Sequence, residues 1–458
     1  MPVQTPLTFQ QMWMWNLLSQ HDDWKCVCSS GLRLSGRLDI PALERSLERI
    51  LTRHGSLRTR VALVEGVPVQ YTDDPEPYRL VCMTVAGNSA TQIEAKARQF
   101  FEALSDLKMD LMVDPLFQVR LLKLDSREHW LLFAVHRFAA DCFSMDQILP
   151  ELLSLYSGDL ERQPLALPAG QEYRDYALRQ QNTHEEWLRR HEPYWRRRLD
   201  KASNLHWPVD TRVAKTPRGT LGRMNIMLGD TLSNQLRDIA RRERTLLATV
   251  MLAVYVAVLC GWCRQTDFVV PFFVAGRQSE HKYVVGYFPH ILYLRMELTG
   301  RESFGDLLRY VGNEFFRALS HQDFGRTATR EPRLLEGTFF QWLTWHSDDA
   351  PGTAPAPDIP DLTVERISAS DFAENVTAIP PGLVDVEITL FDTSQGIYAS
   401  GVYRADLFTS RTMQHFMEVL RSTAERLAQD PGTPVLTLFG DDLPASPDPV
   451  PLVTAARP

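Results

Sequence analysis

The sequence has few cysteines, no long apolar run and little excess charge, and each shortage excludes a class of protein. Six cysteines in 458 residues are too sparse for a disulfide framework. The longest apolar run, residues 246–260, is shorter than the ~20 residues that cross a bilayer, so it predicts a buried helix and no membrane association. Acidic residues exceed basic ones by 57 − 49 = 8, which argues against a nucleic-acid partner, because such proteins present a strongly basic face.

Targeting and cofactor motifs are also missing. Residues 1–11 carry neither the basic segment nor the apolar segment of a secretory signal, so we expect a cytoplasmic protein with reduced thiols. The chain contains no Gly-rich phosphate loop, no HExxH motif and no GxSxG motif. We therefore expect no cofactor and no metal.

The composition that is present suits a globular protein of more than one compact unit. The chain is 44% hydrophobic and 23% charged, which supplies apolar material for real cores, and its length allows two or three units. A Pro- and Gly-containing stretch, residues 157–170, predicts a boundary between subdomains at 1–165 and 171–443. The Pro- and Ala-rich tail, residues 444–458, is typical of a linker.

A strand–loop–helix segment is the best place for function. Residues 116–124 and 129–135 predict a hairpin, and apolar residues at helical spacing follow from Met145. Ser144 and Gln147 predict a capping box at the start of that helix. The loop between the second strand and the helix is held at both ends by rigid elements, where binding and catalytic residues are usually placed.

Six segments in the right order resemble motifs of the condensation domains of nonribosomal peptide synthetases. The segments are residues 6–15 (PLTFQQMWMW), 53–60 (RHGSLRTR), 114–122 (DPLFQVRLL), 173–176 with 194–199 (YRDY and YWRRRL), 275–295 (AGRQSEHKYVVGYFPHILYLR) and 385–434. The resemblance implies an α/β fold of two chloramphenicol-acetyltransferase-like subdomains in a V-shaped arrangement. It also implies a tunnel where two carrier-bound substrates meet.

In this family the tunnel carries a His-His-x-x-x-Asp-Gly loop whose second histidine is credited with catalysis. The corresponding residues here are His136, Arg137, Asp141 and Cys142. Arginine therefore stands at the catalytic position, and cysteine replaces the glycine, where its side chain should narrow the passage. The resemblance further implies a structural ion pair between Asp141 and Arg277.

The arginine changes the chemistry that the loop can perform. Joining a thioester to an amine requires a proton acceptor with a pKa near 7, and arginine remains protonated above pH ~12. If Arg137 faces the tunnel, its neighbour His136 faces the packed interior and is no substitute. Arg137 could stabilise a developing oxyanion, or pair with a carboxylate and fill the channel, and we expect no active catalytic residue.

The same His-Arg-x-x-x-Asp pattern resembles one branch of the family, the X-domains of glycopeptide-antibiotic synthetases. These domains do not condense substrates, and they recruit cytochrome P450 oxygenases to the peptide on a peptidyl carrier protein. The resemblance implies that function for this chain. The alternatives are an active condensation enzyme that joins a carrier-bound acyl group to an amine or alcohol, and a protein that binds carrier domains alone.

Two pairs of cysteines invite a functional interpretation, one as a redox pair and the other as part of a zinc site. Cys260 and Cys263 form a Cys-x-x-Cys pair at the end of the apolar helix, the pole that disfavours a thiolate, so we expect no redox function. Cys26 and Cys28 alternate along a predicted strand without the second pair of a zinc site. They are predicted to be packing and surface residues.

Overall fold

The computed structural model describes residues 3–21, 24–160, 172–210, 220–322, 337–344, 358–367, 380, 382–393, 395–435 and 437. This part of the chain forms a mixed α/β fold with ten α-helices. It divides into two compact units, and each unit is built from three separate stretches of the sequence. The first contains Met1–Arg190, Ala275–His290 and Ser347–Pro380, and the second contains His191–Val274, Ile291–His346 and Pro381–Pro458. The predicted boundary at residues 165–171 and the predicted tail at 444–458 lie outside the described residues.

The first unit contains a five-stranded sheet in the order β12-β2-β7-β6-β5 and a three-stranded sheet in the order β1-β4-β3. Its elements are β1 (Thr5–Pro6), α1 (Phe9–Gln20), β2 (Val27–Gly36), α2 (Ile40–Arg53), β3 (Thr59–Val64), β4 (Val67–Thr72), β5 (Val81–Thr84), α3 (Ala90–Ser105), β6 (Phe117–Lys123), β7 (Glu128–His136), α4 (Cys142–Leu160), α5 (Tyr173–Asn182) and β12 (Leu362–Arg366). Helix α6 (His184–Leu199) crosses from this unit into the second.

The second unit contains a six-stranded sheet in the order β10-β9-β11-β13-β14-β8. Its elements are β8 (Leu221–Met227), α7 (Asp230–Arg242), α8 (Leu247–Trp262), β9 (Asp267–Val274), β10 (His290–Glu297), α9 (Phe304–Leu319), β11 (Thr338–Thr344), β13 (Val386–Thr393), β14 (Gly396–Arg404) and α10 (Ser410–Gln429).

The apolar run predicted as a buried helix is α8, and every residue from Thr249 to Trp262 is buried. An all-round apolar helix is stable only when other elements cover every face, and α7, α9 and α10 pack against this one. No single described helix is long and apolar enough to cross a membrane. Helices α7 and α8 pass that test only as a pair, and the pair is bent by 109°.

The predicted hairpin is confirmed. Strands β6 and β7 pair antiparallel, with Phe117 opposite Val135 and Lys123 opposite His129. Strand β7 lies between β2 and β6, and His129 to His136 are all buried. Strand β7 is therefore held by hydrogen bonds on both sides and by burial, and these contacts fix the position of the loop that follows it.

Candidate functional site

The loop between β7 and α4 carries the residues that the sequence singled out. Strand β7 ends at His136 and α4 begins at Cys142. The backbone N–H of His136 donates to the carbonyl oxygen of Leu116, and that of Arg137 donates to the carbonyl oxygen of Cys26. The strand ladder thus continues into the loop and fixes the backbone of both residues.

His136 is sealed in the interior. His136 is only 2% exposed, and its Nδ1 accepts a hydrogen bond of 3.1 Å from the backbone N–H of Phe138. Burial, with a smaller contribution from the positive charge of Arg137, lowers the pKa of His136 to about 3. The ring is therefore neutral at pH 7, and its Nδ1 lone pair is already occupied.

Arg137 is half-buried and remains a cation. Burial disfavours its charged form, but the nearby Cys26, Cys142, Cys28 and Tyr287 outweigh that effect and raise the pKa of the guanidinium. These neighbours are thiols and a phenol, which ionise only at alkaline pH. At neutral pH the side chain offers hydrogen-bond donors and positive charge, and no lone pair for a proton.

Asp141 holds the end of the loop. Its Oδ1 accepts hydrogen bonds of 2.8 Å from both the backbone N–H and the hydroxyl of Ser144, and Oδ2 accepts one of 3.3 Å from the backbone N–H of Phe288. The structure brings Arg277 to the same carboxylate, with Nη2 2.7 Å from Oδ1. The side chains of Asp141 and Arg277 are 3% and 9% exposed, so a buried charge is paired and hydrogen-bonded.

Arg277 connects this carboxylate to a segment that arrives from far along the chain. Its Nη1 donates to the carbonyl oxygens of Val284 at 2.6 Å and His281 at 3.1 Å, and its guanidinium lies 4.4 Å from the centroid of the Phe288 ring. Backbone bonds add to the junction, since the N–H of Asp141 donates to the carbonyl oxygen of Gly286. The network is structural, because both carboxylate oxygens of Asp141 are occupied by donors within it.

The predicted capping box is wrong, and the network explains why. Helix α4 begins at Cys142, two residues before Ser144, so Ser144 lies inside the first turn. The side chain that accepts from the backbone N–H three residues later is Asp141. Gln147 does not reach back to the helix start, because its side-chain amide donates to the carbonyl oxygen of Lys282.

Cys142 has a neighbour that the sequence did not indicate. Its Sγ lies 3.1 Å from Sγ of Cys28 in β2, while Cys26 is buried. Cys28 was predicted as a packing or surface residue, and only tertiary structure brings the two thiols together. No local pattern reports a contact across 114 residues.

The loop can therefore present positive charge and a thiol, but neither His136 nor Arg137 can accept a proton near pH 7. The carboxylate within the loop, Asp141, is committed to Ser144, Arg277 and Phe288. Electrostatic stabilisation of an anion is within the chemical range of this loop, and the guanidinium of Arg137 has no lone pair with which to act as a general base.

Comparison with known proteins supports the family resemblance over nearly the whole chain. Residues 3–439 match the family model described as "Condensation domain". A linear gramicidin synthase of Brevibacillus parabrevis is 27% identical over 95% of the chain and 9% of its own length. Surfactin synthase subunit 1 of Bacillus subtilis (strain 168) is 27% identical over 88% of the chain and 11% of its own length. The chain thus spans about a tenth of these relatives.

Solved structures share the fold at lower sequence identity. The X-domain in its complex with OxyB from teicoplanin biosynthesis aligns with a TM-score of 0.76 and 22% identity, covering 96% of both chains. The SgcC5 protein of Streptomyces globisporus aligns with a TM-score of 0.76 and 22% identity, covering 94% of this chain and 100% of its own. At these identities the alignments establish the architecture.

Proposed function

Because this chain belongs to the condensation-domain family, we propose that it is a non-condensing member of nonribosomal peptide antibiotic assembly that recruits a cytochrome P450 oxygenase to a carrier-bound peptide. The observation that carries the proposal is the state of the loop. Arg137 has no lone pair to offer, and His136 is buried with a pKa of about 3. A chain without a base at this position is suited to binding rather than to amide formation.

The X-domain branch supplies the partner. The His136-Arg137-x-x-x-Asp141 pattern resembles X-domains, and one structural neighbour is an X-domain in complex with OxyB from teicoplanin biosynthesis. A peptidyl carrier protein is the second expected partner, since the named relatives are peptide synthases and condensation domains act on carrier-bound substrates. We further expect the protein to work in the cytoplasm.

A reconstitution experiment tests both halves of this proposal. The chain is mixed with a carrier protein loaded with a peptide thioester and with a glycopeptide-pathway P450, separately and together, and the mixtures are analysed by gel filtration. We expect the oxygenase to co-elute with the chain, and oxidation of the carrier-bound peptide to increase when the chain is present. Absence of co-elution with the P450, with carrier binding retained, contradicts recruitment and leaves a protein that binds carrier domains alone.

The alternative activity is tested in the same preparation. Donor and acceptor carriers are incubated with the chain, and the condensed product is measured by mass spectrometry beside an active condensation domain. We expect no product from the unmodified chain. Product that disappears in an Arg137→Ala variant would establish an active condensation enzyme, in which the guanidinium stabilises the oxyanion, and would overturn the proposal.

A further inference from the structure

Two cysteines distant in sequence form a close pair beside Arg137. Cys28 lies in β2, opposite Val135 of β7, and Cys142 is the first residue of α4. Their sulfur atoms are 3.1 Å apart. Cys142 is exposed and Cys28 is partly exposed, so a small reagent can reach the pair from solvent. Cys142 follows the loop that carries Arg137, and Cys28 lies opposite Val135, just before that loop.

The surroundings give the two thiols different roles, because they favour a nucleophilic thiolate at Cys142 and a protonated thiol at Cys28. The hydrogen bond from Cys28 lowers the pKa of Cys142 and raises that of Cys28. The positive charge of Arg137 also lowers the pKa of Cys142, whereas desolvation of its sulfur and the negative charges of Asp141 and Asp146 raise it. The amino-terminal end of a helix favours a thiolate for the same electrostatic reason.

The Cys-x-x-Cys pair in the second unit lacks these features. Cys260 and Cys263 lie at the carboxyl-terminal end of α8, where the helix dipole disfavours negative charge. Burial raises the pKa of Cys260 to about 11, and it raises that of Cys263 well above its usual range. The environment of Cys260 and Cys263 therefore disfavours a thiolate despite their Cys-x-x-Cys spacing. The environment of Cys142 favours one, although no sequence motif marks its pairing with Cys28.

We propose that Cys28 and Cys142 are an oxidisable dithiol that a small-molecule disulfide, such as oxidised glutathione, converts to an intramolecular disulfide. The Cys142 thiolate attacks one sulfur of the reagent, which forms a mixed disulfide and releases one glutathione thiolate. The Cys28 thiol then gives up its proton and attacks Cys142 Sγ, which releases the second glutathione. Two protein thiols are oxidised and one disulfide is reduced to two thiols.

The second step requires little movement. The sulfur atoms must approach by about 1 Å from their present separation to reach disulfide bonding distance. Rotation of the two side chains supplies such a displacement without a change in the strand pairing of β2. The bond would tie β2 to the first turn of α4 and fix both ends of the Arg137 loop. This inference is independent of P450 recruitment.

The intact protein tests the proposal directly. It is incubated in glutathione buffers of increasing oxidised fraction, remaining thiols are alkylated, and the digest is mapped by mass spectrometry. We expect a cross-linked peptide containing Cys28 and Cys142, the loss of two hydrogens from the intact mass, and two fewer of the six free thiols. Reduction should restore all six.

Three variants separate the steps. In Cys28→Ser, glutathione should remain attached to Cys142, because no resolving thiol is present. In Cys142→Ser, Cys28 should take up glutathione at least about tenfold more slowly than Cys142 does in Cys28→Ser, because Cys28 lies in a strand and lacks the helix amino-terminus that favours a thiolate at Cys142. Cys82→Ser is the matched control. Cys82 is exposed on β5 and its Sγ donates to the carbonyl oxygen of Leu80, so its loss should leave the cross-link unchanged.

Two results overturn the proposal. One is that Cys28 and Cys142 both remain alkylatable in oxidised glutathione under conditions in which Cys82 forms its mixed disulfide. The other is that the first cross-link joins a different pair, for example Cys260 with Cys263. Both are read from the unmodified protein, so the outcome does not depend on the folding of any variant.

Discussion

At the residue scale, the imidazole of His136 makes stability depend on pH. Its pKa is about 3 in the folded chain, and an unfolded histidine has a pKa of ~6.5. Between these values the unfolded chain binds a proton that the folded chain does not. Stability should therefore fall as the pH falls from ~6.5 to ~3, by up to about 1.4 kcal/mol per pH unit from this residue.

A urea titration at pH 7, 6, 5 and 4.5 measures this effect. Below pH 6.5 the unfolding free energy of His136→Asn should change less steeply with pH, by the contribution of about one proton, because its amide does not titrate. His206→Asn, at an exposed histidine, is the comparison variant. Equal slopes in the unmodified chain and His136→Asn would show that unfolding does not change the protonation of His136.

The Asp141–Arg277 pair supplies a second test at the same scale. Arg277→Ala should destabilise the protein by about 3–5 kcal/mol, because it leaves a carboxylate buried without its cation. Arg277→Lys should recover only part of the loss, because one ammonium group cannot replace a planar guanidinium that contacts both Asp141 and Val284. Urea denaturation measures the three midpoints.

The control is an arginine whose ion pair lies at the surface. Arg309 pairs with Asp306 on α9, and both side chains are more than half exposed. Exposed pairs contribute little because water screens both charges, so Arg309→Ala should change stability by less than about 1 kcal/mol. A similar loss in Arg277→Ala and Arg309→Ala would contradict a special role for the buried pair.

At the scale of elements, the sequence predicts what local periodicity determines. Residues 116–124 and 129–135 are strand-like runs and become β6 and β7, and the apolar run becomes α8. The capping prediction at Ser144 failed because the real acceptor, Asp141, is also held by Arg277, a tertiary partner that helix spacing does not reveal.

The segment that contains Arg277 and Phe288 needs a glycine at position 286, because a neighbouring ring leaves no room for a side chain there. A Cβ added at Gly286 would lie 2.1 Å from the ring of Tyr173, and an aromatic ring packed against Phe288 cannot move aside. Gly286→Ala should therefore cost about 1–3 kcal/mol through overpacking, measured as a loss of unfolding free energy in urea. Gly305→Ala, in α9 with no atom closer than 3.9 Å, should be neutral or stabilising.

At the scale of the whole molecule, the two units are not consecutive stretches of sequence. The first includes Ala275–His290, which supplies Arg277, Gly286 and Phe288 around Asp141. A Pro- and Gly-rich stretch predicts one boundary, but composition cannot predict that a later segment returns to an earlier unit. The return depends on long-range contacts, which no local window contains.

Truncation tests this interleaving. A fragment of residues 1–190 lacks the returning segment, so the carboxylate of Asp141 loses its cation and the backbone donor of Phe288. We expect the fragment to lack cooperative urea unfolding and a near-ultraviolet dichroism signal. A fragment of residues 1–290 contains Asp141, Arg277 and Phe288, and it should recover part of both. Cooperative unfolding of the shorter fragment would contradict the prediction.

The return of Arg277 to Asp141 also sets an order of events during synthesis. The two residues are 136 positions apart, so a ribosome that adds ~5–20 residues per second makes the arginine about 7–27 s after the aspartate. During that interval Asp141 has no cation to pair with, and β12 of the same sheet has not yet been synthesised. Chaperones that shield unfinished chains should therefore engage this protein until translation has passed residue 290.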